Sequence, residues 1–426
     1  MKRRNICGIL AMMMASVAFS QSGTNSPYSQ FGLGVLADQS QGYSRGMNGV
    51  GLALRKGNVV NTLNPASYSA VDSLTMLFDV ALSGQFTNFK EGNTSANSSN
   101  ADFCYAVGMF RLMPHVGVSF GMLPFSSIGY DYSTASKLDN SSVIMSNSYS
   151  GSGGLHQLFV GAGWKVFKPL SVGFNLSYVW GNYNRSLVSS GSEVQIKTLS
   201  KNYSATVNNY DLSFGLQWEQ QLSKKDQLLL GATVGIGHKL GTDPTCEHIS
   251  TDPLTAKSDT TTFSVPNGLQ LPMRYGVGLA WSHNQKWHVE ADFTMQKWGG
   301  ISFPVETNGK YELLANQLRD SYKANVGFDY VPAANSRRYL NRVHYRFGAG
   351  YATPYYKING GDGPKEMSLS AGIGLPLQNT WNNRSVLNIS AQWVHAGSKD
   401  LITENMFRLN IGITFNERWF MKWKID

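Results

Sequence analysis

The sequence predicts an all-β fold, a 14-stranded antiparallel transmembrane β-barrel with an N-terminal plug. Three observations predict it: the composition, a recurring alternation over about ten residues, and the sorting of short and long connections. Of 426 residues only 15% are charged, against ~25% in a typical soluble protein, while 44 are glycine and 12% are aromatic. This balance argues against a helical bundle, a coiled coil or an acidic disordered chain. It fits a large β protein, soluble or outer-membrane. Past the N-terminus no run of about 18 apolar residues occurs, which excludes a transmembrane helix. At roughly 150 residues per domain the length allows two or three domains or one large barrel.

The first element is a secretory signal peptide over residues 1–20. Met1-Lys2-Arg3-Arg4-Asn5 is a basic n-region, Ile6 to Phe19 is an apolar stretch too short to span a bilayer, and Ala18-Phe19-Ser20 is a small-x-small cleavage site. Cys7 lies within the apolar stretch, away from the cleavage point, so it is not a lipoprotein anchor. Removing Lys2, Arg3 and Arg4 reduces the formal charge from +9 to +6, an excess that is modest and spread out. Nucleic-acid binding is not expected of an exported chain. Export permits a disulfide between Cys104 and Cys246, but their placement favours two unpaired thiols.

Residues 21–72 precede the first strand and are too irregular for barrel strands. Gly46-Met47-Asn48-Gly49-Val50-Gly51-Leu52-Ala53 needs close backbone packing or positive φ. With Leu33, Val35, Leu54, Val59 and Leu63 the segment is too apolar to dangle. A plug in the barrel lumen is expected, with a periplasmic extension as the alternative.

The barrel is expected over residues 73–415. Leu74, Met76, Phe78, Val80 and Leu82 alternate with Thr75, Asp79 and Ser83. Leu170, Val172, Phe174, Leu176, Tyr178 and Trp180 alternate with Ser171, Gly173, Asn175 and Ser177. The same zigzag recurs in segments near 73–88, 102–113, 116–130, 154–167, 169–183, 204–220, 226–238, 270–282, 287–298, 319–331, 342–355, 366–376, 385–397 and 405–415. Short links such as Leu112-Met113-Pro114-His115 and Phe167-Lys168-Pro169 alternate with long polar ones at 89–101, 131–153, 184–203, 239–269 and 299–318. Short turns on one rim and long loops on the other are the pattern of an outer-membrane barrel, and a soluble sandwich has no reason to sort them. Segments often close on aromatics such as Trp164, Trp218, Trp281 and Trp298, as interfacial girdles do. In lipid every strand must pair on both edges, so the sheet must close. A basic-aromatic tail, 416–426, follows. Trp419, Phe420 and Trp423 would lie at the periplasmic interface or contact a partner.

The polar side of the ninth segment carries His288, Glu290 and Asp292. Facing lipid, two carboxylates would be destabilising, so they are expected in the lumen with Arg274, Arg346 and Arg408. They would hold the plug as an ion-pair and hydrogen-bond network, or orient the head group of a solute. No acid/base chemistry follows, because nothing supplies a nucleophile or metal nearby. Gly42-Tyr43-Ser44-Arg45-Gly46 and Gly117-Val118-Ser119-Phe120-Gly121 fit G-x-S-x-G but lack the strand–turn–helix setting of a nucleophile elbow. No metal, cofactor or enzymatic activity is expected.

Arg45-Gly46 through Gly49-Val50-Gly51-Leu52-Ala53, then Asn64-Pro65-Ala66 just before the first strand, resembles the FadL family of outer-membrane hydrophobic-compound transporters, in a Bacteroidota-type member. Leu271 to Gly278, Trp287 to Trp298, Phe328 to Pro332 and Tyr345 to Tyr351 are similar to that family's later strands. The resemblance implies a hatch bearing the Asn-Pro-Ala element inside a fourteen-stranded barrel, in the outer membrane of a Gram-negative bacterium. Two functions follow from different classes. One is passive uptake of small hydrophobic compounds, gated by movement of the plug. The other is a non-transporting scaffold that partners an outer-membrane protein secretion or assembly complex. The tail, and the Ser-, Asn- and Gly-rich loop at 131–153 with its few large apolar residues, point to the second.

Overall fold

A computed structural model of the chain describes residues 23–138, 142–193, 195–307, 309–377, 385–398 and 401–418. The expected signal peptide, 1–20, and the tail residues Trp419, Phe420 and Trp423 lie outside the described residues.

The barrel strands, in chain order, are β1 Thr75–Glu91, β2 Thr94–Met113, β3 Val116–Lys137, β4 Ile144–Lys165, β5 Leu170–Gly191, β6 Thr198–Gln221 and β7 Asp226–Gly235. They continue as β8 Arg274–His283, β9 Trp287–Gln296, β10 Ser321–Tyr330, β11 His344–Ala352, β12 Lys365–Leu377, β13 Ser385–Gly397 and β14 Thr403–Arg418. Each strand pairs antiparallel with its neighbours in sequence. The sheet closes where β1 meets β14, from Thr75 opposite Arg418 to Lys90 opposite Thr403. Among the described residues every barrel strand is thus paired on both sides, which hydrocarbon demands. The last strand runs to Arg418, past the expected boundary at 415.

The alternation sorts side chains as lipid and lumen require. On β6, Tyr210, Phe214, Leu216 and Trp218 are exposed, while Asp211 and Gln217 are buried. On β9, Trp287 and Phe293 point out, and His288, Glu290 and Asp292 point in. Strands such as β7 and β8 are 10 residues long, enough to cross a bilayer when tilted.

Three expected loops are strands instead. The links at 89–101, 131–153 and 184–203 are mostly continuations of β1 to β6, and β3 to β6 reach 22 to 24 residues. The extension is widened by a hairpin, Thr245–Thr251 with Ser258–Ser264, whose first strand pairs with the start of β6. Beside it, Phe303–Thr307 pairs with Lys310–Leu314. Cys246, Tyr203, Tyr311 and Val265 pack where these meet. Burial there, with the Glu306 carboxylate nearby, pushes the Cys246 thiol up to about 11. Cys246 and Cys104 are both free and buried.

Candidate functional site: the filled lumen

Residues 23–72 run through the inside of the barrel. The segment carries a 3-10 turn at Pro27–Gln30, a two-residue strand at Val35–Leu36, a helical turn at Gly42–Arg45 and a second 3-10 turn at Pro65–Ala70. Val35–Leu36 pairs antiparallel with Ser126–Ser127 of β3. Asn64 caps the second turn by accepting from the Ala66 amide at 3.1 Å, and Pro65 at its first position has no amide to leave unpaired. The Asn64 amide group also donates to the carbonyls of Leu52 (2.7 Å) and Leu216 (3.1 Å), tying two parts of the segment to β6.

The wall is cut back to receive the segment. Lumen-facing glycines recur on successive strands, and a Cβ on any of them would strike it. At Gly117 (β3) it would overlap the Tyr68 carbonyl, at Gly215 (β6) Asn64, at Gly231 (β7) the Leu52 carbonyl, and at Gly348 (β11) Met47. Gly163, Gly173, Gly278, Gly327 and Gly372 extend these close approaches over β4, β5, β8, β10 and β12. Within the segment, Gly49 sits at φ +80, where a side chain would strain the backbone. Gly46 lies against Gly372 and Arg346.

Acceptors on β9 face the segment's free amides. Asp292 accepts from Gly51 (2.7 Å) and Leu52 (3.0 Å), and Glu290 accepts from Ala53 at 2.8 Å. His288 lies 3.2 Å from Glu290, and its other ring nitrogen lies 2.8 Å from the Ser282 hydroxyl. Gln217 donates to the Leu52 and Leu54 carbonyls. A second centre forms around Asp329 on β10. It accepts from the Tyr43 hydroxyl at 2.6 Å and lies 3.3 Å from both Lys56 and Arg346 and 3.0 Å from His344. Arg346 stacks over the Tyr43 ring at 4.1 Å and donates to Asn388 at 2.6 Å. A third centre is Arg45, which donates to Asn410 (2.8 Å), to the Ser40 carbonyl (3.0 Å) and to Cys104 (3.0 Å).

The structure thus brings His288, Glu290, Asp292 and Arg346 together with the residues around Gly46, Gly51 and Asn64-Pro65-Ala66. It does not bring in the other two arginines. Arg274 grips Asp211 on β6, and Arg408 donates to Gln85 and Gln392, so both join wall to wall. Sequence reasoning did not single out Asp329, Tyr43 or Lys56 for the lumen network, and quoted Arg45 only as part of the Arg45-Gly46 motif. An acidic residue at a polar position of an alternating strand marked Asp329, and the same argument that singled out Glu290 could have found it.

Toward the long-loop end the lumen is apolar and also filled. Tyr28, Phe31 and Leu33 pack among Phe125, Ile128, Val179, Trp298, Tyr355 and Tyr356. Phe31 stacks on Tyr356 with ring centres 5.3 Å apart, and Trp298, expected in an interfacial girdle, is instead buried here, 4.7 Å from Tyr355. A cavity of about 30 Å³ beside Tyr43 and Lys56 has room for about one water. A larger concavity, about 510 Å³, lies among Ser150, Ser152, Asn184, Ser186 and Asn202 on the projecting strands. Among the described residues no cluster of side chains could hold a metal ion.

The fold is that of the FadL-type outer-membrane barrels. The toluene transporter TbuX of Ralstonia pickettii aligns with a TM-score of 0.62 at 16% identity, over 90% of this chain and 99% of that one. The toluene transporter TodX of P. putida aligns with a TM-score of 0.62 at 16% identity, over 92% and 99%. A Pseudomonas aeruginosa FadL homologue aligns with a TM-score of 0.61 at 10% identity, over 90% and 99%. No curated protein matches the sequence. A family model described as BamG matches residues 1–426.

Proposed function

Since this chain belongs to the BamG family, we propose that it is a plugged, non-transporting barrel that serves as a scaffold subunit of an outer-membrane protein assembly machine. The family's name points to assembly machinery, and the filled lumen supports the same reading. The observation that carries it is the contact of residues 46–68 with wall glycines on β3 to β8 and β10 to β12. A plug meant to swing aside would have to break the hydrogen bonds of Asp292, Glu290, Asp329 and Arg45 together. The apolar end of the lumen, where a hydrophobic solute would be received, is occupied by Tyr28, Phe31 and Leu33. Gentle detergent extraction from native membranes tests the reading. Stoichiometric protein partners are expected, and a protein that purifies alone at every detergent strength would overturn it.

A second reading, passive uptake of a small hydrophobic compound, draws on the toluene transporters named above and on one irregularity of the wall. Pairing of β3 with β4 shifts register between Pro124 and Ser126, beside Gly153 and Gly154 at φ +118 and +145. Val35–Leu36 covers that point from inside. On this reading solute would leave sideways there once the short strand detached. Val35→Pro with Leu36→Pro would then raise solute permeability in proteoliposomes. An unchanged permeability would remove the reading.

A further inference from the structure

We propose that the short-turn rim of the barrel is a girdle that binds anionic phospholipid head groups of the adjoining leaflet. Each described turn on that rim pairs an exposed large apolar side chain with a cation. The β4–β5 turn exposes Phe167 (65%) beside Lys168. The β6–β7 turn exposes Leu222 (59%) beside Lys224 and Lys225. The β8–β9 turn sets Lys286 next to Trp287, and the β10–β11 link sets Arg337 and Arg338 next to Tyr339 and Leu340, the last 69% exposed. The β2–β3 turn repeats the pattern with half-buried Arg111 beside Leu112 and Met113.

The carboxylates of this rim are fewer than its cations, and Glu417 near the end of β14 is the exposed one. Glu219 is engaged by Arg55 and Lys165, and Asp226 lies 2.7 Å from His283. At the opposite rim exposed charges of both signs are interleaved: Lys90 with Glu91, Lys310 with Glu312, Lys365 with Glu366. The exposed cations of the short turns form no ion pair among the described residues.

The spatial arrangement favours lipid over a protein partner. A protein-docking face would gather its charge in one patch. Here the cations follow the turns from β2 to β11, always at the edge of the hydrocarbon-facing belt. An apolar side chain anchored in the acyl boundary with a cation reaching the head groups is how interfacial residues sit. A polybasic surface next to a membrane gains from anionic lipid, an effect that salt screens.

The test uses the full-length protein in nanodiscs of phosphatidylethanolamine with phosphatidylglycerol, against phosphatidylethanolamine with phosphatidylcholine. Retained lipid is counted by native mass spectrometry. The protein should keep phosphatidylglycerol in preference, lose that preference in high salt, and lose roughly fivefold in retention for each of Lys168→Gln, Lys224→Gln and Lys225→Gln. Lys257→Gln and Lys310→Gln at the other rim should change nothing. Equal retention of both lipids by the unmodified protein would overturn the proposal without any variant. So would an acidic protein that copurifies, and leaves with the three rim substitutions while lipid retention is unmoved.

Discussion

Asp292 meets the amides of Gly51 and Leu52 with one carboxylate. Replacing it with alanine leaves two buried donors unpaired, at about 1–3 kcal/mol each. Asp292→Ala should therefore lower the temperature at which the unboiled gel band shifts to its denatured mobility, and Asp292→Asn should lower it less, since the amide keeps one acceptor. A band as heat-resistant as the unmodified protein would mean that Asp292 does not hold the segment. That Asp292 faces inward was legible in the sequence, because a carboxylate alternating with Phe293 has nowhere else to go. Its partner was not. Contacts between Gly51 and β9 span 241 positions, and no local periodicity encodes them. Arg45 stayed hidden for another reason: it sits in a four-residue helical turn with no amphipathic pattern to say which way it points.

The strands and the hairpins beyond the membrane are specified by different rules. All fourteen membrane-crossing strands could be read from the sequence, since one face must be apolar and the other polar within hydrocarbon. The extensions of β3 to β6 could not. Beyond the membrane both faces are wet, so Ser, Asn and Gly stand at successive positions and the strands read as loops. The glycines were equally ambiguous, because each looks like a flexible spot until the opposing chain is known. Gly231→Val should dislodge the segment from β7 and lower the gel-shift temperature, or prevent the folded band from forming. Gly300→Ala, which meets nothing within 4 Å, should behave as the unmodified protein. Equal effects from both would argue against a wall shaped to its filling. In the hairpin Phe303–Thr307, burial would raise the Glu306 carboxyl, but the hydrogen bond and charge of Lys201, with His248 at 3.7 Å, outweigh it and hold the group below its usual range. A lowered carboxyl gives a contribution that is full above its unfolded value of about 4.3 and is lost as pH falls through the lower folded value. Amide exchange in 303–314 should accelerate on acidification below that point. Glu306→Gln should flatten the response, and a pH-independent exchange rate in the unmodified protein would contradict the pairing.

The whole molecule is a closed cylinder whose inner surface was built around fifty residues of its own chain. Its outward belt places it among outer-membrane barrels, and its alignment with the toluene transporters extends over nearly the full length of each. The sequence showed the cylinder and led to the expectation of a segment inside it. It did not show how firmly that segment is held, because firmness comes from glycine against backbone and from buried polar pairs that only the three-dimensional register creates. If residues 23–72 are a fixed filling, the barrel is closed to ions in its resting state. Planar-bilayer recording of the full-length protein, beside a variant lacking residues 23–63, measures this most directly. The account predicts a silent baseline for the full-length barrel and discrete current steps for the shortened one. Steady current steps through the unmodified protein would contradict it.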